Sequence, residues 1–293
     1  MSFKKLVIDI SKYQGMIDFK KMKESGKVFG VIIRCGYRGY LNGKIVADPY
    51  FFQNVQGCID NNIPYGVYFF SQAVTNAEAI QEAEYCLKLV KQQSVQPLFP
   101  IYIDTEFSTS KKTGRADKLT KANRTDIVKN FCERIEQDKY FAGVYGSTSW
   151  FKDQLNDNEL LNYSHWVAHY GEKCGYSKLH HIWQYSSGGS VPGVIARTDM
   201  NWCYIDFPKV IKEGKLNGYT SEKVPKFTVE TNRAVSEHAY DKFRSLANTL
   251  KIDLEVTEEK RYYIKTEPIT TGDVKEFQNL AKGLIEEVTT KEV

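Results

Sequence analysis

Eight short stretches of the chain are apolar and rich in β-branched or aromatic residues, the pattern of buried strands. They are Lys5–Ser11, Val28–Gly36, Ile63–Ser71, 97–106, Phe141–Ser147, His165–Gly171, His181–Ser187 and Thr198–Tyr204. Helical patterns lie between the first five. Asp48–Asn61 opens on Asp-Pro, a helix start signal. Thr75–Gln92 places Thr75 as N-cap with Glu78 three residues on, the capping-box spacing. Thr120–Gln137 puts Ile127, Val128, Phe131 and Ile135 on one face. Strands alternating with helices predict a parallel sheet of the α/β class, and eight of them predict a closed (β/α) barrel. Short connections between the last three predict irregularity there.

The fourth stretch, Pro-Leu-Phe-Pro-Ile-Tyr-Ile-Asp-Thr-Glu, ends in two carboxylates. Side chains alternate along a strand, so Asp104 and Glu106 share a face, roughly 7 Å apart along the backbone. Like charges so placed raise each other's pKa, which keeps one acid protonated for use as a proton donor. A strand that ends in polar residues because it reaches solvent gives the same string. Asp9 lies late in the first strand and Asp199 in the last. In a parallel barrel the carboxyl ends converge on one face, where active sites are built. Four acids then share one pocket, although Asp199 starts its strand rather than ending it.

Six motifs carry a resemblance. Val-Ile-Asp-Ile-Ser-Lys-Tyr-Gln-Gly, Ile-Ile-Arg-Cys-Gly-Tyr, Tyr-Gly-Val-Tyr-Phe-Phe, Tyr-Ile-Asp-Thr-Glu, Trp-Gln-Tyr-Ser-Ser and Thr-Asp-Met-Asn-Trp follow one another over about residues 5–208. In order and spacing this resembles the glycoside hydrolase family 25 lysozymes. The resemblance implies a flattened, irregular β/α barrel. It implies cleavage of the β-1,4 bond between N-acetylmuramic acid and N-acetylglucosamine in bacterial peptidoglycan. It puts the catalytic acid on Glu106, its partner on Asp104 and two accessory acids on Asp9 and Asp199, with no cofactor. The residues agree with such chemistry. A glycosidase needs an acid for the leaving oxygen and a negative group near the anomeric carbon. Glu106 has the longer reach. Asp104 either orients the substrate's own acetamido group or attacks carbon directly, and both routes retain configuration.

Rigid aromatic surfaces suit sugar rings. The chain has 19 Tyr, 16 Phe and 4 Trp. Tyr37, Tyr68, Trp183 and Tyr185 fall near predicted strand ends and are the groove candidates; packing between barrel and helices is the competing use. Arg34 points to the same pocket, there to bind a substrate carboxylate or, as favoured, to hold one of the acids in an ion pair. No metal site is expected: His165 and His169 are roughly 13 Å apart if extended, and no C-x-x-C occurs. The six cysteines are widely spaced, as buried free thiols would be.

Residues 1–212 thus read as the catalytic barrel, 213–225 as a polar linker and 226–293 as a small α+β domain. In the tail, Lys226–Thr231, Asp253–Thr257 and Arg261–Thr266 read as strands, and Ser236–Leu250 and Thr271–Val288 as helices. A cell-wall polymer or a second copy of the chain is the expected partner of this domain. Residues 226–293 hold 11 basic and 13 acidic residues, leaving 29 and 23 in 1–225. That excess favours approach to an anionic wall but is too scattered for nucleic acid. No apolar run suits membrane insertion. Met-Ser-Phe-Lys-Lys leads straight into the first strand without a signal peptide. The expectation is a phage endolysin made in the host cytoplasm and released by a holin. Two other classes fit in part: a non-catalytic carbohydrate-binding barrel, and a chitinase-like hydrolase. Chitinases carry two further acids before Asp-x-Glu, where this chain has Pro100 and Tyr102.

Overall fold

The structure, a computed structural model, describes residues 3–220, 227–231, 235–250, 254–258, 262–266, 271–283 and 288–292. The chain divides into two compact units, Met1–Ser221 and Glu222–Val293.

The first unit runs β1 (Lys5–Ile10), α1 (Phe19–Glu24), β2 (Gly30–Arg38), β3 (Ile45–Ala47), α2 (Phe51–Asp60), β4 (Tyr65–Phe70), α3 (Asn76–Lys91) and β5 (Ile101–Asp104). It continues with α4 (Lys121–Gln137), β6 (Ala142–Ser147), α5 (Thr148–Asp153), β7 (Ser164–Ala168), β8 (Ile182–Gly189), β9 (Thr198–Cys203) and α6 (Phe207–Glu213). All eight expected strands are present. They pair in the order β1-β2-β4-β5-β6-β7-β8-β9 and close through β9 on β1, with the short β3 added to the edge of β2. Neighbours are parallel from β1 through β8, but β9 runs antiparallel to both β8 and β1. The expected irregularity therefore takes the form of one reversed strand.

Period-two alternation sorts the side chains. Ile8, Ile33, Val67, Ile101, Ile103 and Val144 face the helices and join their apolar stripes in one buried cluster. Val7, Ile32, Tyr68, Tyr102 and Trp166 fill the barrel interior, with Phe207 and Ile211 of α6 in the same cluster. Trp166 is its hub: its ring lies 5.8 Å from Tyr68, 5.3 Å from Tyr102 and 4.6 Å from Tyr145. The interior is a packed floor, and a pocket forms only above it. Helix α3 starts where its cap predicts, Thr75 Oγ1 accepting from Glu78 N at 3.2 Å. The Glu78 carboxylate caps Val74 N instead of closing the box, because it is drawn to Arg115 at 2.7 and 2.8 Å.

The expected linker differs in its first half. Residue 213 ends α6, and 214–219 fold back onto the barrel. Asn217 is fully buried there. Its Oδ1 accepts from Phe141 N at 2.7 Å and its Nδ2 donates to Pro97 O and Phe99 O at 2.9 and 3.0 Å. Its φ of 54° is a left-handed conformation that Asn tolerates well. Polar composition looked like linker because this segment is anchored by one amide rather than by an apolar stripe. Asn217→Ala strands three buried backbone groups and is expected to cost about 3 kcal/mol. Urea unfolding followed by tryptophan fluorescence checks this, since all four Trp lie in the first unit. Residues 221–225 lie outside the described residues.

The second unit holds β10 (Phe227–Thr231), α7 (Glu237–Leu250), β11 (Leu254–Glu258), β12 (Tyr262–Thr266), α8 (Thr271–Gly283) and β13 (Val288–Glu292). Its sheet is ordered β11-β12-β10-β13, and each described pairing is antiparallel. The second helix was expected to reach Val288. Instead that residue opens β13, where Val-Thr-Thr is β-branched and pairs with β10 from Phe227↔Glu292 to Thr231↔Val288. Helices α7 and α8 pack through Ala239, Phe243, Phe277 and Ala281, with the Phe243 and Phe277 rings stacked 6.1 Å apart.

Candidate active site

At the carboxyl end of the parallel strands lies a cavity of about 630 Å³. Asp9, Asp104, Glu106 and Asp199 all line it. The reversal of β9 explains how Asp199 arrives there. An antiparallel strand begins at the face where its parallel neighbours end, and the register sets Asp199 directly opposite Asp9. The residue that seemed to sit at the wrong end of its strand is at the right end of the barrel.

Asp9 faces inward with Val7. Its Oδ2 accepts from Asn201 Nδ2 at 2.8 Å and Gln184 Nε2 at 3.0 Å. Burial, then the charge of Asp199, hold its carboxyl well above the ordinary range despite those bonds. Asp199 is raised by burial and lowered by its hydrogen bond with Asp9, and the two carboxyls titrate as a pair. Asp104 is the last residue of β5. Burial and Glu106 push it well up, and Arg34 draws it back. Its Oδ1 is buried and has no hydrogen-bond partner among the described residues.

Glu106 stands two residues past the strand, not in it. Its surface is open to solvent, yet it sits within the concave face. Partial removal from water, followed by Asp199, pushes its carboxyl up to about 7. Retained solvent contact means that covering the cavity strengthens this shift further. The loop that carries Glu106 is fixed. Asp117 accepts from Ser108 N at 2.9 Å, Ser108 Oγ at 2.6 Å and Gly114 N at 2.7 Å. The Phe107 ring meets Trp150 edge-on at 4.6 Å. Glu106 also lines a second cavity of about 730 Å³, beside Tyr145, Thr148, Lys152, His169 and Tyr170. It thus stands where the two cavities meet.

Tyr37, Tyr68 and Arg34 line the acid cavity as expected from their strands. Tyr68 belongs to its floor, almost wholly buried against Trp166. Arg34 does form an ion pair, but its partner is Asp48, at 2.7 and 2.8 Å, and not one of the four acids. Trp183 and Tyr185 are not in this cavity. On β8 the inward residue is Gln184, so its neighbours face out. Trp183 Nε1 donates to His169 O at 2.7 Å, and Tyr185 stacks on Trp202 at 5.4 Å. Sequence reading missed Gln184 and Asn201, which bind Asp9. Asn201 was within reach of the i, i+2 argument, being two residues from Asp199. It also accepts from Trp166 Nε1 at 2.7 Å, tying the acids to the floor. Tyr13 and Tyr40 at the rim were missed too. Among the described residues no group of three or more His, Cys, Asp or Glu is placed to hold a metal ion.

A cavity with one exposed acid raised toward neutrality and a buried carboxyl beside it can donate a proton and stabilise a nearby positive charge, the two needs of glycoside cleavage. Comparison with known proteins points the same way. The chain is similar to the autolytic lysozyme of Clostridium acetobutylicum, 24% identical over 195 residues, which is 66% of this chain and 54% of that one. It resembles the modular autolysin LytC of Streptococcus pneumoniae, solved with a synthetic peptidoglycan ligand, with TM-score 0.61 and 28% identity over 69% of this chain and 47% of LytC. It resembles the catalytic domain of endolysin Ply40 from bacteriophage P40 of Listeria monocytogenes, with TM-score 0.55 and 25% identity over 71% of this chain and 96% of that domain. The chain spans about half the length of the lysozyme and of LytC. The profile of the family described as Glycosyl hydrolases family 25 matches residues 8–194, a span that contains Asp9, Asp104 and Glu106. That span is well over half of the sequence, and the chain belongs to glycosyl hydrolases family 25.

Proposed function

We propose that the chain is an N-acetylmuramidase that cuts the β-1,4 bond between N-acetylmuramic acid and N-acetylglucosamine. One observation carries the mechanism: Asp104 lines the cavity beside an acid raised to about 7, and its buried Oδ1 has no hydrogen-bond partner among the described residues. Glu106 gives its proton to the leaving oxygen as the glycosidic bond breaks. The acetamido carbonyl oxygen of the N-acetylmuramic acid closes on that sugar's own anomeric carbon, and Asp104 accepts its N–H. That hydrogen bond favours the ionised form of Asp104, so substrate binding leaves the shared proton on Glu106. Glu106 then takes a proton from the water that opens the ring, which restores both groups. The second cavity beyond Glu106 supports cutting within a chain, since polymer can lie on both sides of the acid.

The mechanism fixes a pH dependence. Glu106 must be protonated, so kcat/KM falls as pH rises above about 7. Asp199→Asn removes a like charge and moves that fall to lower pH. A pH–rate profile on soluble peptidoglycan fragments checks the direction, and an unmoved profile contradicts it.

The second unit is proposed to hold the enzyme at the wall, by binding a wall polymer or by self-association that multiplies weak contacts. Tethering raises the barrel's effective concentration at its substrate. A chain ending near Lys223 is expected to cleave soluble fragments normally and to lose lysis of whole cells. Lysis equal to the full chain's contradicts the role. The likeness to a phage endolysin domain supports an endolysin's part, with action on the wall after release. No helix among the described residues is long and apolar enough to cross a membrane.

A further inference from the structure

The acid cavity is lined by cations as well as acids. Lys12 and Arg34 line it, with Tyr13, Tyr37 and Tyr40. Lys12 opens a short 3₁₀ turn just past β1, fixed by Ser11 N donating to Gln14 Oε1 at 2.8 Å. Its own backbone N–H donates to Asp48 Oδ2 at 3.1 Å. Asp48 is buried and already engaged: it pairs with Arg34 and accepts from Tyr50 N at 3.0 Å. Among the described residues no carboxylate lies within ion-pair distance of Lys12 Nζ.

The Arg34 guanidinium therefore has an acid partner, and the Lys12 ammonium has none among the described residues. The two cations share two rings. Lys12 Nζ lies 5.3 Å from the Tyr13 ring and 6.0 Å from Tyr37, and the Arg34 guanidinium lies 5.2 and 5.7 Å from the same pair. Tyr13 is 71% exposed and Tyr40 40% exposed, so both offer open aromatic surface at the rim of the cavity. The unpaired Lys12 ammonium, framed by aromatic faces, selects an anion borne on a ring-shaped, partly apolar body.

We propose that Lys12, beside Arg34 in this cavity, forms a subsite for a carboxylate carried on the glycan. The inference rests on the muramidase reading, and it names what that substrate offers. Muramoyl residues carry a lactyl arm that ends either in a free carboxylate or in a peptide stem bearing carboxylates. The acids act on the glycosidic bond while Lys12 holds the substituent. This fixes which way the chain lies and disfavours neutral chains of glucosamine alone.

The test uses the full-length protein and soluble peptidoglycan fragments, before and after carbodiimide coupling with ammonia converts their carboxylates to amides. On native fragments Lys12→Met is expected to raise KM about tenfold, the loss of one charge-assisted contact. Amidation is expected to raise the wild-type KM by a similar factor and to add little to Lys12→Met, because both remove the same interaction. Lys12→Arg restores the wild-type KM. Fragments stripped of their stems by an amidase keep only the lactyl carboxylate: a persisting Lys12→Met effect assigns the contact to the lactyl arm, and its loss assigns it to the stem. The subsite is overturned if Lys12→Met leaves KM unchanged on native fragments, or if its effect and that of amidation multiply in full. Failure of wild type to cleave any fragment overturns the muramidase reading instead, so the two failures are distinct.

Discussion

Glu106→Gln is expected to slow peptidoglycan cleavage by about 10²–10⁴-fold, the usual loss on removing a general acid. Gln keeps the size and the hydrogen-bonding oxygen but has no proton to give at pH 7. The fold should not notice. Glu106 is exposed, lies outside β5, and its loop is held by Asp117, Phe107 and Arg115 rather than by its own carboxyl. Thermal melting within a degree or so of wild type, together with the rate loss, is the predicted pair of results. Near-normal cleavage by a folded variant removes Glu106 from the mechanism.

Asp104→Asn is expected to cost about 10²–10³-fold, comparable to losing one preorganised electrostatic contact. The amide oxygen still accepts the acetamido N–H but no longer opposes the positive charge that forms on the ring. Stability moves the other way. Burial and Glu106 raise Asp104 well above 3.8, so the folded state resists an ionisation that the unfolded chain undergoes freely. Stability is lost as pH rises through the window above the ordinary value. Asn removes that loss, and Asp104→Asn should melt at or above the wild-type temperature at pH 8. A large drop in melting temperature would make the activity loss a folding defect and leave the assignment without support.

Much of this was legible because a barrel repeats one rule. Eight apolar runs gave eight strands, and alternation placed Asp9, Arg34, Tyr68 and Asp104 on the inward side. The rule failed where periodicity is weak or misleading. Both Trp183 and Tyr185 are large aromatics at a strand end, and nothing in their composition says that Gln184 between them faces the acids. Strand direction is not written in a strand's own residues, so the reversal of β9, and with it the place of Asp199, needed the pairing to β1 and β8. Six-residue α1 and α5 and seven-residue α6 are too short to show a stripe. Their caps, Asp18, Ser147 and Asp206, were the available signals. The buried anchor Asn217 hid inside a polar segment, because one satisfied amide can fix a loop that no apolar pattern marks.

The most direct test of the account is the identity of the new reducing ends in digested peptidoglycan, read by borohydride reduction and analysis of the reduced sugars. Muramidase action predicts reduced N-acetylmuramic acid, formed by wild type and absent with Glu106→Gln. Reduced N-acetylglucosamine, or no new reducing ends from an active wild-type protein, would contradict it.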